Sequence, residues 1–489
     1  MPSDIQKTHE TPSAKRILSR FGHLLSAQGL EGVFSAPFFI YLAWLDSTLY
    51  GEVMYALAVG FVVTTAVQFG LYYPLVRDLG KAGKDKAPEI VNGVTIIKLA
   101  LFLLTMFAVW GLAFFRGLSS QMAWILFLVC LGYAFDAMAE TFFANLRVQG
   151  RQDKEARIKI ASTVLGYGYG FLTAYMGFHP VLISMFMLVS GMVRLILGAG
   201  YYVRAFSVSP LMRPEWKAVW GMFRAAAVFA LIENLGIFYN KTNIFFMERA
   251  VGVKGVAFYS ATYSLVEPIS GIASTQYLGW VIFPLLSTIW WDNREAAGDL
   301  VRTNAQWLLA IAFPIMLFLH AESELIIGII YPEEYKDAVW MQQYLVWTIL
   351  LSFELNLFTR VMMVAGATKT LLLFYALATI VNLILNIQLV QPFGLVGGCL
   401  VIVLTKLTMA ILTISYCQIR FGFLKAGGFL FLFGLAGASL GVFLLTRPVI
   451  TFHPAVAVTL AFYSLILWRR GIRFFGAPAR REALKTGEE

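Results

Sequence analysis

The chain has 489 residues, of which 59% are hydrophobic, 15% aromatic and only 13% charged, with a mean hydropathy of +0.73. A soluble domain carries about 45–50% apolar residues and about 25% charge, so this balance excludes a separate soluble enzyme, a secreted receptor domain and a disordered chain. The net charge of +10, from 38 Lys and Arg against 28 Asp and Glu, sits between apolar runs and marks topology; no nucleic-acid partner is expected.

Apolar runs bounded by charge predict fourteen membrane spans, at about 22–45, 51–76, 90–115, 121–144, 158–177, 180–203, 222–247, 255–289, 303–320, 339–363, 371–391, 395–419, 427–446 and 454–468. The first follows a polar segment and leads into further spans, which fits a retained helix rather than a cleaved leader. Span 8 is too long for one straight crossing, and Pro268 is expected to kink it. Between spans 6 and 7, Trp216, Trp220 and Phe223 fall at i, i+4 and i+7, the spacing of a short helix lying on the membrane surface. The apolar middle of the segment 321–338 is expected to dip back toward the interface.

With the N-terminus in the cytoplasm, the inside segments hold 29 basic residues and the outside loops five, Arg116, Arg249, Lys254, Lys336 and Arg447. That bias places both termini inside and requires an even number of spans. A weak repeat divides the chain. Gly51 and Tyr55 before span 2 match Gly255 and Tyr259 in span 8; Pro74 matches Pro284, and Gly150 with Lys154 matches Gly366 with Lys369. The expected fold is an all-α polytopic membrane protein of two six-helix lobes in parallel repeat plus two C-terminal helices. Its parts are a cytoplasmic segment (1–21), an N-lobe (22–203), a linker (204–224), a C-lobe (225–419), the last two spans (420–468) and a cytoplasmic tail (469–489).

Charges inside spans carry the functional signal, because each costs about 2.5–3.5 kcal/mol to insert at the bilayer centre. Four cations are so placed: Lys98, Arg194, Lys241 and Lys406. They are the candidates for a cationic substrate site, with Arg194 and Lys406 the deepest. Tyr133, Asp136 and Glu140 share one face of span 4; Glu233, Asn234, Asn240 and Lys241 share a face of span 7; Thr379, Asn382 and Asn386 share a face of span 11. Tyr133, Asn234, Asn240, Asn382 and Asn386 are read as polar cavity lining, and Asp136, Glu140, Glu31 and Glu233 as ion-coupling candidates. Mutual pairing of these charges, with no ligand, is the competing reading. Gly166 with Gly170 and Gly437 with Gly441 have the spacing of close helix packing. The three cysteines and five histidines form no metal spacing, and GKAGKDK (80–86) lacks the order of a phosphate-binding loop, so neither metal nor cofactor is expected.

Several stretches resemble the Wzx-type polysaccharide flippases of the MOP exporter superfamily. They are the Tyr50-Gly51 to Tyr55 entry to span 2, PLVRDLGK at its exit, ELIIGIIYPEEYKDA before span 10, AGATKT after it, and NLILNIQLVQPFGLVGGCLVIVL across spans 11 and 12. The resemblance implies a two-lobe transporter of the bacterial inner membrane that moves an undecaprenyl-pyrophosphate-linked oligosaccharide outward by alternating access, for lipopolysaccharide, capsule or exopolysaccharide export. It implies no catalysis, and partners limited to the glycolipid, the bilayer and the polymerase and glycosyltransferases of the same pathway. Such flippases often carry an acidic residue where Asn243 stands here. The alternatives are a drug or cation antiporter of the same superfamily and a membrane enzyme that polymerises or ligates lipid-linked glycans.

The topology yields a direct expectation. In a cysteine-free background, single cysteines at Lys84, Lys154 and Gly487 are shielded from an impermeant thiol reagent in intact cells, whereas cysteines at Ser119, Glu333 and His453 react. Labelling at Gly487 contradicts the even span count.

Overall fold

Backbone N–H and C=O groups have no water to bond in hydrocarbon, so an apolar chain of this kind closes its hydrogen bonds within helices. The computed structural model describes residues 14–81, 86–206, 216–447 and 452–469, and every regular element among them is helical. The long segments are α1 (Ala14–Leu45), α2 (Ser47–Gln68), α3 (Ala87–Phe115), α4 (Ser120–Val148), α5 (Gln152–Tyr175), α6 (Phe186–Phe206), α7 (216–251), α8 (253–289), α9 (Arg294–Ala321), α10 (339–364), α11 (368–393), α12 (395–421), α13 (Ala426–Thr446) and α14 (Phe452–Arg469). They follow the fourteen hydropathy runs in order.

Local chemistry sets the joints. Asp46 starts α2 by accepting hydrogen bonds from the Thr48 and Leu49 amides, and Ser119 and Asn293 cap α4 and α9 in the same way. Helices α7 and α8 would be one rod but for Gly252, and α11 and α12 but for Gly394; their φ values of 73° and 53° are open to glycine and break the helical path. Helical backbone persists through Pro268. The irregularity in α8 is instead a π-helical stretch, Ala273–Ile282, and a second one, Asn386–Val390, lies in α11. Helices α5 and α9 exceed their apolar runs because charged first turns extend them on the side expected to be cytoplasmic.

Two expectations are corrected. Residues 216–224 are the first turns of α7, not a separate helix lying on the surface. Phe223 is drawn inward, where it stacks on Phe69 at 4.6 Å, and neighbouring Met222 and Ala226 join a core with Leu71, Leu75 and Val91. Gly437 and Gly441 have open space where a side chain would stand, so their spacing marks no packing seam. Gly166 and Gly170 do pack closely, against Phe186, Ser190 and Phe38. Residues 204–206 close α6, while 207–215 of the expected linker lie outside the described residues.

By contacts the chain divides into two compact units, Met1–Ala257 and Phe258–Glu489, so α7 packs with the first. The repeat is visible at helix ends. Gly150 after α4 and Gly366 after α10 have φ of 72° and 73°, and the same pattern of bonds surrounds each: Gly150 to Arg147 and Arg151 to Leu146, Gly366 to Met363 and Ala367 to Met362. Pro74 and Pro284 both stand in the first turn of a short terminal helix, Tyr72–Lys81 and Phe283–Ile289.

The most extensive helix contact in the first unit is α4 on α6. A Cβ at Gly132 would lie 2.4 Å from the Met187 carbonyl oxygen, and one at Gly191 would lie 2.2 Å from that of Gly132. Gly191→Val is therefore expected to force these backbones apart and lower unfolding stability by about 2–3 kcal/mol. Gly437→Val stays within about 0.5 kcal/mol of the parent. Thermal melts of the two purified proteins make the comparison.

Candidate transport site

The Gly132–Gly191 contact aligns the polar residues one turn further along each helix. Asp136 follows Gly132 on α4, and Arg194 follows Gly191 on α6. The Arg194 guanidinium donates from Nη1 to Asp136 at 2.9 Å, from Nη2 to Glu31 of α1 at 3.1 Å, and from Nε to the Ser162 hydroxyl of α5 at 2.9 Å. Its side chain is 7% exposed, against 18% for Asp136 and 38% for Glu31. Four helices thus meet on one cation, and a full complement of partners offsets its desolvation.

Glu140 lies one turn beyond Asp136, but it belongs to a second cluster. Arg147 and Lys159 each bridge Glu140 and the fully buried Glu155, at 2.5–3.1 Å, and so tie α4 to α5. Arg147, Lys159 and Glu155 read as loop charges in the sequence because they flank the apolar runs; the helical spacing of Glu155 and Lys159 was the available signal. Lys98 is buried, and its ammonium donates to the Ala137 carbonyl at 2.8 Å, beside Asp136. The Tyr133 ring fills the space over Gly60 and packs on Phe61, and Lys241 stands over the other ring of that pair, 5.0 Å from the Phe61 centroid.

On α7, the Asn234 and Asn240 amides donate to the Ala230 and Gly236 carbonyls of their own helix. Asn243 is fully buried. The Glu233 side chain lies outside the described residues. Near the end of α7, Glu248 pairs with Arg116 of the α3–α4 connection, and Gln121 donates to Glu52 at 2.8 Å. The sequence signalled neither contact.

The second unit repeats the plan with different chemistry. Lys406 of α12 donates to the Ser352 hydroxyl of α10 at 2.8 Å and stands 5.5 Å from the Tyr263 ring of α8. Asp136 precedes the helix-ending Gly150 by fourteen residues, and Ser352 precedes Gly366 by the same interval. Equivalent positions therefore face the two cations, with a carboxylate in one unit and a hydroxyl in the other. Asn382 donates to Thr405, and Asn386 to Asn382, so these buried amides join α11 to α12. Among the described residues, Glu354 of α10 has a buried carboxylate oxygen without a hydrogen-bond partner. No group of three or more metal-binding side chains occurs among the described residues.

Fourteen long helical segments among the described residues, with ion pairs closed inside the first unit and glycine-broken pairs of helices, define a multi-pass membrane protein with the fold of the MOP exporters. The chain belongs to the polysaccharide biosynthesis protein family, whose model matches residues 44–340. Among solved structures it is similar to the lipid II flippase MurJ in an inward closed conformation, with a TM-score of 0.64 and 14% identity over 91% of this chain and 99% of that one. It is also similar to an inward-facing multidrug resistance MATE transporter of the MOP superfamily, with a TM-score of 0.59 and 16% identity over 81% and 96%. A MOP transporter from Pyrococcus furiosus follows, with a TM-score of 0.57 and 14% identity over 83% and 95%. No curated protein sequence matches the chain.

The Arg194 cluster sets a stability expectation. Arg194→Gln leaves Asp136 and Glu31 facing each other without a cation and lowers stability by about 3 kcal/mol. Adding Asp136→Asn recovers most of that loss. Melting temperatures of the single and double variants test it, and equal melting of wild type and Arg194→Gln contradicts it.

Proposed function

We propose that the protein flips an oligosaccharide carried on undecaprenyl pyrophosphate from the inner to the outer leaflet of the bacterial inner membrane by alternating access, with both termini cytoplasmic. Membership in the polysaccharide biosynthesis family and the MOP fold support this reading. The observation that carries it is the uneven burial around Arg194: Asp136 and Ser162 hold the guanidinium from the inside, while Glu31 is 38% exposed. A charged group so exposed within a membrane bundle needs water, since lipid cannot solvate it. In this reading the substrate pyrophosphate takes the place of Glu31 on Nη2, and the fork of Arg194 stays aimed by its two inner partners.

Competition for one donor couples the two events. Glu31 already accepts from Nη2 at 3.1 Å, so a pyrophosphate takes that place only as Glu31 withdraws. Glu31 and Asp136 are therefore the preferred coupling residues, ahead of Glu140, which two cations already hold. Lys98, Lys241 and, in the second unit, Lys406 complete the cationic set, while Tyr133, Asn234 and Asn240 offer a ring and amides to sugar. The excess of carboxylate is the one feature that favours a cation antiporter, which would extrude cationic dyes and leave glycolipid in place.

Reconstitution with a labelled undecaprenyl-pyrophosphoryl oligosaccharide tests the proposal. Wild type is expected to move it, Arg194→Lys to move it about tenfold more slowly for loss of the bidentate fork, and Arg194→Gln with Asp136→Asn not to move it. The double variant is used because its stability is restored. Export at the wild-type rate by that variant overturns the role of Arg194, and dye extrusion without glycolipid movement by wild type overturns the function.

A further inference from the structure

Away from the Arg194 cluster, the second unit holds a cavity of about 680 Å³ where the ends of α9, α13 and α14 meet the short helix Ser323–Ile330. Its floor is built. Glu322, buried at the end of α9, meets the His453 ring of α14 at 2.5 Å, and Gln343 donates to Ser323 at 3.1 Å. Ala321 packs with Phe443, Ala455 and Val456 beneath them. The rim carries Glu324, Arg447 and Lys336, whose ammonium also donates to Glu333 at 2.8 Å, so carboxylates and cations face one another across the opening. The outer lip is apolar, with Leu325 45% and Ile329 69% exposed.

These features select a ligand class. An anion alone would meet Glu322 and Glu324, and a cation alone would meet Lys336 and Arg447, whereas a zwitterion satisfies both signs at once. A sugar site would offer an aromatic face, but the aromatic ring in this lining, Phe443, is buried. Exposed leucine and isoleucine beside a charged cavity suit acyl chains rather than water, and the charge bias puts this end of the unit outside. A primary ammonium donates charge-assisted bonds to carboxylates that a trimethylammonium cannot make.

We propose that this cavity binds the head group of a phosphatidylethanolamine from the adjoining leaflet, with its phosphate at Arg447 and Lys336 and its ammonium at Glu324 and Glu322. The acyl chains lie along Leu325 and Ile329. The site does not depend on the transported substrate.

The test uses the full-length protein, delipidated in detergent and titrated with short-chain phosphatidylethanolamine, phosphatidylcholine, phosphatidylglycerol and soluble glycerophosphoethanolamine. Phosphatidylethanolamine is expected to bind about tenfold more tightly than the other three, since only it combines donors, phosphate and chains. Glu324→Gln and Arg447→Gln, both on exposed side chains, are each expected to remove about that tenfold preference while the ligand-free protein melts unchanged. Lys336→Gln, also exposed, replaces either variant that fails to fold. Equal binding of phosphatidylcholine overturns ammonium recognition, and equal binding of phosphatidylglycerol reduces the cavity to an anion site. Soluble head group binding as tightly as lipid removes the membrane component. Wild-type preference retained in both variants removes the cavity from the binding altogether.

Discussion

The cost of keeping a guanidinium out of water organises the first unit. Arg194 lies within a span, and its charge is tolerable only with its donors filled by strong acceptors at short distance. Those acceptors come from α1, α4 and α5, so the positions of three other helices follow from one side chain on α6. The glycines at 132 and 191 belong to the same constraint. Backbone contact between α4 and α6 stands one turn from the place where the Asp136 carboxylate meets Nη1 at 2.9 Å. Packing and electrostatics here are one requirement, since the apolar surface of these helices would pack equally well in lipid and gives little direction to their association.

The repeat shows which part of that requirement was kept and which was released. Helices α4 and α10 end on equivalent left-handed glycines, and residues at equal distance from them meet a cation from α6 or α12. In the first unit the partner is a carboxylate. In the second it is a hydroxyl, with an aromatic ring nearby. A duplicated scaffold thus holds a cation at corresponding places while the side chain that meets it from the equivalent position differs, a carboxylate in one unit and a hydroxyl in the other. The π-helical segments, both in the second unit, add to that inequality.

The number and order of the helices were legible in the sequence because hydropathy reports directly on what lipid allows. The residues of the Arg194 cluster were legible for the same reason: buried charge is rare in a span and stands out. Their partnership was not. Asp136 and Glu140 share a helical face, which suggested one site, yet each is met by cations from different helices and they fall in separate clusters. Periodicity places a side chain on a face and is silent about what stands opposite. The glycines make the same point. Gly437 and Gly441 have the spacing of a packing motif and no neighbour, whereas Gly132 and Gly191 bring two backbones together from helices with no motif in either. Arg147 and Lys159 stand at the ends of apolar runs, where hydropathy stops at the first charges while helical hydrogen bonding continues past them.

In the proposed cycle, the competition of Glu31 and substrate for Nη2 of Arg194 gives binding a structural consequence. A ligand shifts a conformational equilibrium only by the difference in its affinity for the two states. Glu31 belongs to α1, whereas Asp136 and Ser162 belong to helices packed firmly on α6. Replacing Glu31 by a phosphate would therefore remove the polar tie between α1 and Arg194, while Phe38 keeps α1 packed on Tyr167 and Phe171 of α5 and on Phe186 of α6. A substrate that merely added to the cluster would bind both arrangements alike and drive nothing. One that must compete with Glu31 for Nη2 stabilises only the arrangement in which that side chain has withdrawn. The partly exposed carboxylate is thus the feature through which recognition of the pyrophosphate and withdrawal of Glu31 would be a single event.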